Sequence, residues 1–129
     1  MSKLAIVGTS KLENEQERSD AIKIIETVLE APDEIITGDA DGVDYFVRCF
    51  SQIKPTLVIK AIEKKWEGKY GFKARNSMIA AECDELVCIT TKTKTRKCYH
   101  CNADHQRTGG CWTMKEAKRL GKITRLYVV

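Results

Sequence analysis

Glu34-Ile35-Ile36-Thr37-Gly38-Asp39-Ala40-Asp41-Gly42-Val43-Asp44 is the stretch on which the fold turns. Residues 34–37 form a short apolar run closed by Gly38, as a buried strand does. From Val43 to Gln52 the period changes: Val43, Phe46, Val47 and Phe50 share one helical face. A strand that passes through a glycine turn into an amphipathic helix is half of a β-α-β unit.

The same alternation extends in both directions. Upstream, Leu4–Val7 reads as a strand ending at Gly8, and 14–30 reads as a helix. In that helix Ala21, Ile24, Ile25, Val28 and Leu29 recur at helical steps, and Pro32 follows its end. Downstream, the pattern predicts a strand over 56–62, a loop over 66–70, a helix over 72–83 and a strand over 85–90. A last helix over 112–120, broken by Gly121, leads to a last strand over 123–128. Strand and helix alternating in this way call for an α/β fold. About five parallel strands carry helices on both faces, joined by right-handed crossovers. The 129 residues suit one domain, 1–129. Residues 92–111 have no usable period, and that length is unusual for a loop in a compact domain.

Composition narrows the class. At 43% hydrophobic and 31% charged, the chain reads as globular. No apolar run approaches the roughly 20 residues of a membrane span, and Met1–Ser10 is not a secretory leader, so the expected location is cytoplasmic. Residues 1–59 carry 6 Lys/Arg against 11 Asp/Glu, and residues 60–129 carry 16 against 7. A basic second half attracts phosphate-bearing partners, although solvated lysines on helix faces give the same count.

Six cysteines divide into two groups. Cys49, Cys83 and Cys88 fall in predicted elements and suit small core positions. Cys98-x2-Cys101-x3-His105-x5-Cys111 brings three thiolates and an imidazole within fourteen residues, a set that can close around a tetrahedral, structural Zn²⁺. Such a metal would order the aperiodic segment 92–111. His100 is a competing ligand, and free thiols are the alternative. The run Lys92, Lys94, Arg96, Lys97 beside the cluster fits nucleic acid, or simply a charged hairpin tip.

In a parallel sheet, ligands bind beyond the carboxyl ends of the strands. Gly8, Thr9 and Ser10 can offer N–H and hydroxyl donors there, or merely make a turn. Gly38 and Gly42 suit a tight turn. Asp39 and Asp41 would repel phosphate and fit ribose hydroxyls, a cation or a basic group better. Asp44 suits the first turn of a helix. Arg75 can pair with a phosphate and Asn76 can read a base or ribose. Trp66 and Tyr70 can stack on a base or pack in the core. Gly109 and Gly110 lead into a helix start, where backbone N–H groups favour an anion, and Thr113 can add a hydroxyl.

Four segments in this order carry a resemblance: GTS after the first strand, TGDADGVD after the second, W…YG..ARN at the third helix and TGGCWT before the last. Over nearly its whole length the chain resembles the SLOG superfamily, the Rossmann-like group named for STING and LOG proteins. It is most similar to the small stand-alone members whose second loop reads GGAxGxD. The resemblance implies binding of a nucleotide or nucleotide-derived small molecule at the strand ends. Some relatives, the LOG phosphoribohydrolases, cleave the base from a nucleoside monophosphate. Their PGGxGTxxE signature aligns with residues 108–116, matching Gly109, Gly110, Thr113 and Glu116 and departing at Thr108 and Trp112. The likeness thus implies Glu116 and Arg75 as catalytic residues if an N-glycosidic bond is hydrolysed. Binding without hydrolysis is the other outcome. A zinc-containing nucleic-acid-binding protein using residues 92–97 is the alternative function. Homo-oligomerisation is left open, and no membrane partner is expected.

Overall fold

The computed structural model describes residues 2–30, 32–53, 58–64, 68–92 and 109–129. Strands β1 (Lys3–Gly8), β2 (Glu34–Gly38), β3 (Val58–Ile62), β4 (Glu85–Thr90) and β5 (Ile123–Val128) alternate with helices α1 (Glu15–Val28), α2 (Val43–Ile53), α3 (Gly68–Glu82) and α4 (Gly109–Arg119). The strands form one sheet in the order β3-β2-β1-β4-β5. Every neighbouring pair is parallel.

The two-residue period of each central strand divides its side chains between two cores. Leu4, Ile6, Ile35, Val87 and Ile89 face α1 and α2, meeting Ala21, Ile25, Val43, Val47 and Phe50. Ala5, Val7, Ile36, Leu86 and Cys88 face the other way, meeting Ile79 and Ala80 of α3 and Cys111, Met114 and Ala117 of α4. Helices thus cover both faces. The chain steps outward from β1 through β3, then returns past β1 to β4. This reversal sets a topological switch point between β1 and β4.

Local chemistry ends the helices where the pattern placed their ends. Asn14 caps α1, its side-chain oxygen accepting the N–H of Glu17 at 2.8 Å, while the Glu17 carboxylate accepts the N–H of Glu13 at 2.8 Å. Gly121 ends α4 with φ +79°, and the N–H of Lys122 returns to the carbonyl of Ala117 at 3.0 Å.

Two boundaries differ from expectation. Gly68–Tyr70, read as loop, belongs to the first turn of α3. Its glycines look like breakers, yet each costs a helix only about 1 kcal/mol, which packing can offset, and Gly71 is buried. Gly109 and Gly110, read as a turn leading into a helix, are themselves the start of α4. Here a glycine is needed for proximity. A Cβ on Gly110 would stand 2.7 Å from both the Cα and the N of Gly8. Among the described residues, one on Gly109 would meet only Asn76 Nδ2, at 3.7 Å.

These neighbouring glycines therefore separate cleanly in stability. Gly110→Ala should lower unfolding free energy by about 1–3 kcal/mol through overpacking. Gly109→Ala should be neutral or slightly stabilising. Urea denaturation of both variants checks this, and equal effects would contradict the packing described.

Candidate functional site

The carboxyl ends of β1, β2 and β4 and the start of α4 meet on one side of the sheet. The β1–α1 turn spends its polar groups on the fold. The N–H of Thr9 donates to Ile89 O at 3.0 Å, and its carbonyl accepts from Val43 N at 3.1 Å. Its hydroxyl donates to Lys11 O and accepts from Lys11 N, both at 3.2 Å. Ser10 is exposed beside it. Gly42 has φ +71°, and a Cβ there would come within 2.7 Å of the Ser10 carbonyl carbon. The first two loops can pack only because this residue is glycine.

Arg75 is the hub of the next layer. It is only 8% exposed. Its Nη1 lies 2.6 Å from Asp39 Oδ1, and its Nε donates to Asn76 Oδ1 at 3.2 Å. The second oxygen of Asp39 accepts the Lys64 N–H at 2.9 Å. Burial raises the pKa of Asp39, but the Lys64 N–H and the hydrogen bond and charge of Arg75 together hold it below the ordinary carboxylate value. Asp39 is thus a clasp between β2, the end of β3 and α3. Asp41 is exposed on the same loop.

Phe72, one turn before Arg75, is 44% exposed. Its ring carries Lys64 Nζ at 4.1 Å and Arg75 Cζ at 5.2 Å from the centroid. An open aromatic with two cations beside it can stack on a base while the cations meet phosphates. Sequence reasoning missed Phe72, placing it only as the first residue of the third helix. Its chance of discovery lay in the three-residue spacing to Arg75, which puts both on one face. The base-stacking expectation for Trp66 and for the Tyr70 side chain lies outside the described residues.

Asn76 points its amide toward Gly109 at the start of α4. The first N–H groups of that helix have no acceptor within it, and they carry its partial positive charge. Asn76 thus links the start of α4 to Arg75, whose Nε–H it accepts. Thr113 lies in the same helix, but it is fully buried and its hydroxyl donates to Gly109 O at 2.9 Å, so that proton is already used. Glu116 is not drawn into the group. Arg119 Nε reaches both its carboxylate oxygens at 3.1 Å on the outer side of α4, and this hydrogen bond lowers its pKa.

Cys111 is buried in the core shared by α3, α4 and the sheet. Cys98, Cys101 and His105, and the basic residues Lys94, Arg96 and Lys97, lie outside the described residues. Lys92 is exposed just past β4. Cys83 and Cys88 occupy core positions, as expected.

Asp44 sits in the first turn of α2, as expected, but only 4% exposed. Its Oδ1 has no hydrogen-bond partner among the described residues. A Cβ on Gly38 would collide with its Oδ2 and would lie 3.4 Å from Arg75 Nε, so Gly38 leaves room for the carboxylate and the guanidinium together. Burial pushes the pKa of Asp44 up to about 6, against the pull of Arg75, the Ala40 N–H, Arg48 and the Thr37 hydroxyl.

The fold is a Rossmann-like α/β sheet. It is similar to that of DNA processing protein A from Helicobacter pylori, a protein described for its single-stranded DNA binding mode. The TM-score is 0.60 at 19% sequence identity, over 98% of this chain and 64% of the other. The chain thus spans less than two thirds of that protein's length. No family model matches the sequence. No curated protein matches it either. No helix among the described residues is long and apolar enough to cross a membrane.

The raised pKa has a sign that stability can read. Protonated Asp44 is the form the fold favours, so its contribution is complete below pH about 4 and is lost as pH rises through about 6. Relative to Asp44→Asn, the wild type should lose about 2–3 kcal/mol between pH 4 and pH 7.5. Chemical denaturation of both proteins across that range measures it, and a constant gap would contradict the assignment.

Proposed function

We propose that the protein binds phosphate-bearing nucleotide ligands, and in particular a segment of single-stranded nucleic acid, at the carboxyl ends of its strands. The observation that carries this reading is Asn76 at the start of α4, with Arg75 bonded to it and open Phe72 beside Arg75. The helix terminus and Arg75 suit a phosphate, Asn76 suits a sugar or base edge, and Phe72 suits a base face. The likeness in fold to a protein described as binding single-stranded DNA supports a strand over a free nucleotide. Lys92, the first residue of the basic strip, leaves the sheet at this same end and extends the path for a phosphate backbone. Glu116 paired with Arg119 favours binding over hydrolysis of an N-glycosidic bond.

Fluorescence anisotropy with labelled oligothymidylate, competed by mononucleotides, tests this. Binding should weaken with salt. Gly109→Asp introduces a carboxylate where no described residue is crowded and where a helix start tolerates it, so the fold should survive while affinity falls roughly tenfold or more. Phe72→Ala should cost about 1–3 kcal/mol of binding if one base stacks there. Full affinity in both variants would overturn the proposed site. Stronger competition by a mononucleotide than by the oligomer would make the small molecule the ligand.

We also propose that Cys98, Cys101, His105 and Cys111 hold a structural Zn²⁺, on the strength of their spacing. Metal analysis of the purified protein should give one zinc per chain, lost in Cys98→Ser. Zinc absent from the wild type would overturn the site, and zinc retained in Cys111→Ser would assign that residue to the core alone.

A further inference from the structure

We propose that Asp44 is a proton-linked control on this site: it takes up a proton from solvent when a phosphodiester occupies Arg75 and the start of α4, so that anions bind more tightly in mildly acidic solution. The inference rests on the binding reading above and adds to it a group that touches no ligand.

The geometry carries the argument. Asp44 is buried, and one of its oxygens meets no donor among the described residues. A carboxylate in that setting is held in its charged form mainly by neighbouring charges, because water cannot solvate it. Among the described residues, the charged groups facing it are few. Arg75 comes from α3, its guanidinium beside Gly38 where the Asp44 carboxylate also stands. Arg48 comes from its own helix, with Nη1 donating to Gly38 O at 2.7 Å and Ala40 O at 2.9 Å. Asp39 lies behind Arg75 and is bound to it, with Lys64 on its far side.

Arg75 therefore answers to two carboxylates at once. Asp39 is bonded to it and held ionised; Asp44 is not bonded to it and is poised near neutrality. A phosphodiester arriving at Arg75 adds a third negative charge. Arg75 Nη2 has no hydrogen-bond partner among the described residues and can meet it. Of the two carboxylates, Asp44 is the one that yields, because neutralising it removes a buried charge and breaks no ion pair. Proton uptake leaves the guanidinium to Asp39 and the ligand. By linkage, whatever raises the proton affinity of Asp44 on binding must raise ligand affinity as pH falls.

The test uses an oligothymidylate, whose phosphodiesters and bases keep their charge over the range. Its affinity for the wild type should rise on the order of tenfold more than for Asp44→Asn between about pH 7.5 and about pH 5. The comparison with Asp44→Asn isolates the contribution of this one carboxyl. A carboxyl carbon NMR titration of the wild type reads the same coupling without a variant: the Asp44 midpoint should move up when the oligomer is bound. Equal pH slopes in the two proteins, or an Asp44 midpoint that the oligomer leaves in place, would overturn the control while leaving the binding site standing. Absence of binding at both pH values would overturn both.

Discussion

The site depends on one approach of backbone to backbone. Gly110 in the first turn of α4 stands against Gly8 at the end of β1, with no room for a β-carbon between them. That contact seats the helix start directly over the central strand, beside the point where the chain reverses its course across the sheet. A larger residue at Gly110 would lift the helix and carry its first N–H groups away from Asn76, while one at Gly8 would strike the Ile89 carbonyl and the Val43 side chain instead. Gly42, packed under Ser10, fixes the neighbouring loop in the same manner. Glycines that look from sequence like phosphate loops are thus first of all packing residues. Their effect on a ligand comes through where they let other groups stand.

Charge balance is the second constraint. The site is neither a simple basic pocket nor an acidic one. Arg75 and Arg48 sit among Asp39, Asp44 and the carbonyls of Gly38 and Ala40. Asp39 is tied to Arg75 and to the backbone of Lys64, so it orients the guanidinium while lowering its net attraction for anions. Removing Arg75 would leave Asp44 buried without its nearest counter-charge. Loss of that arginine would weaken the fold as well as the site, so exposed Phe72 and Gly109, uncrowded by any described residue, are the cleaner probes of binding.

The fold was legible because two periods alternate from Leu4 to Val128 on either side of the aperiodic residues 92–111, and the first two strands end in glycine. The parallel sheet, both helical layers and the ends of β4 and β5 follow from that pattern. The errors came where glycine was taken as punctuation: at Gly68–Tyr70 and at Gly109–Gly110 it lies within a helix. For the site, Arg75 and Asn76 were legible from their place near a helix start. The exposure of Phe72 was not, since a helix's apolar residues are usually its core, and only the packing of α3 shows which face is open. Thr113 and Glu116 show the converse. Their spacing fits a motif, but a helix offers its own partners: Gly109 O takes the hydroxyl and Arg119 takes the carboxylate. The unusual character of Asp44 was hidden for a related reason, because first-turn acids are ordinarily exposed and only the burial of α2 against β2 makes this one costly.

The central claim is that an anion settles at the start of α4 beside Arg75 and Asn76. Amide NMR of the folded protein titrated with a short oligothymidylate tests it most directly. The account predicts shifts at the N–H groups of Gly109 and Gly110, the Asn76 side-chain amide and Arg75 Nε, with Ser2, Asp33 and Asp84 at the opposite end of the sheet unmoved. Shifts confined to that opposite end, or none at Gly109 and Asn76 with the oligomer bound, would contradict it.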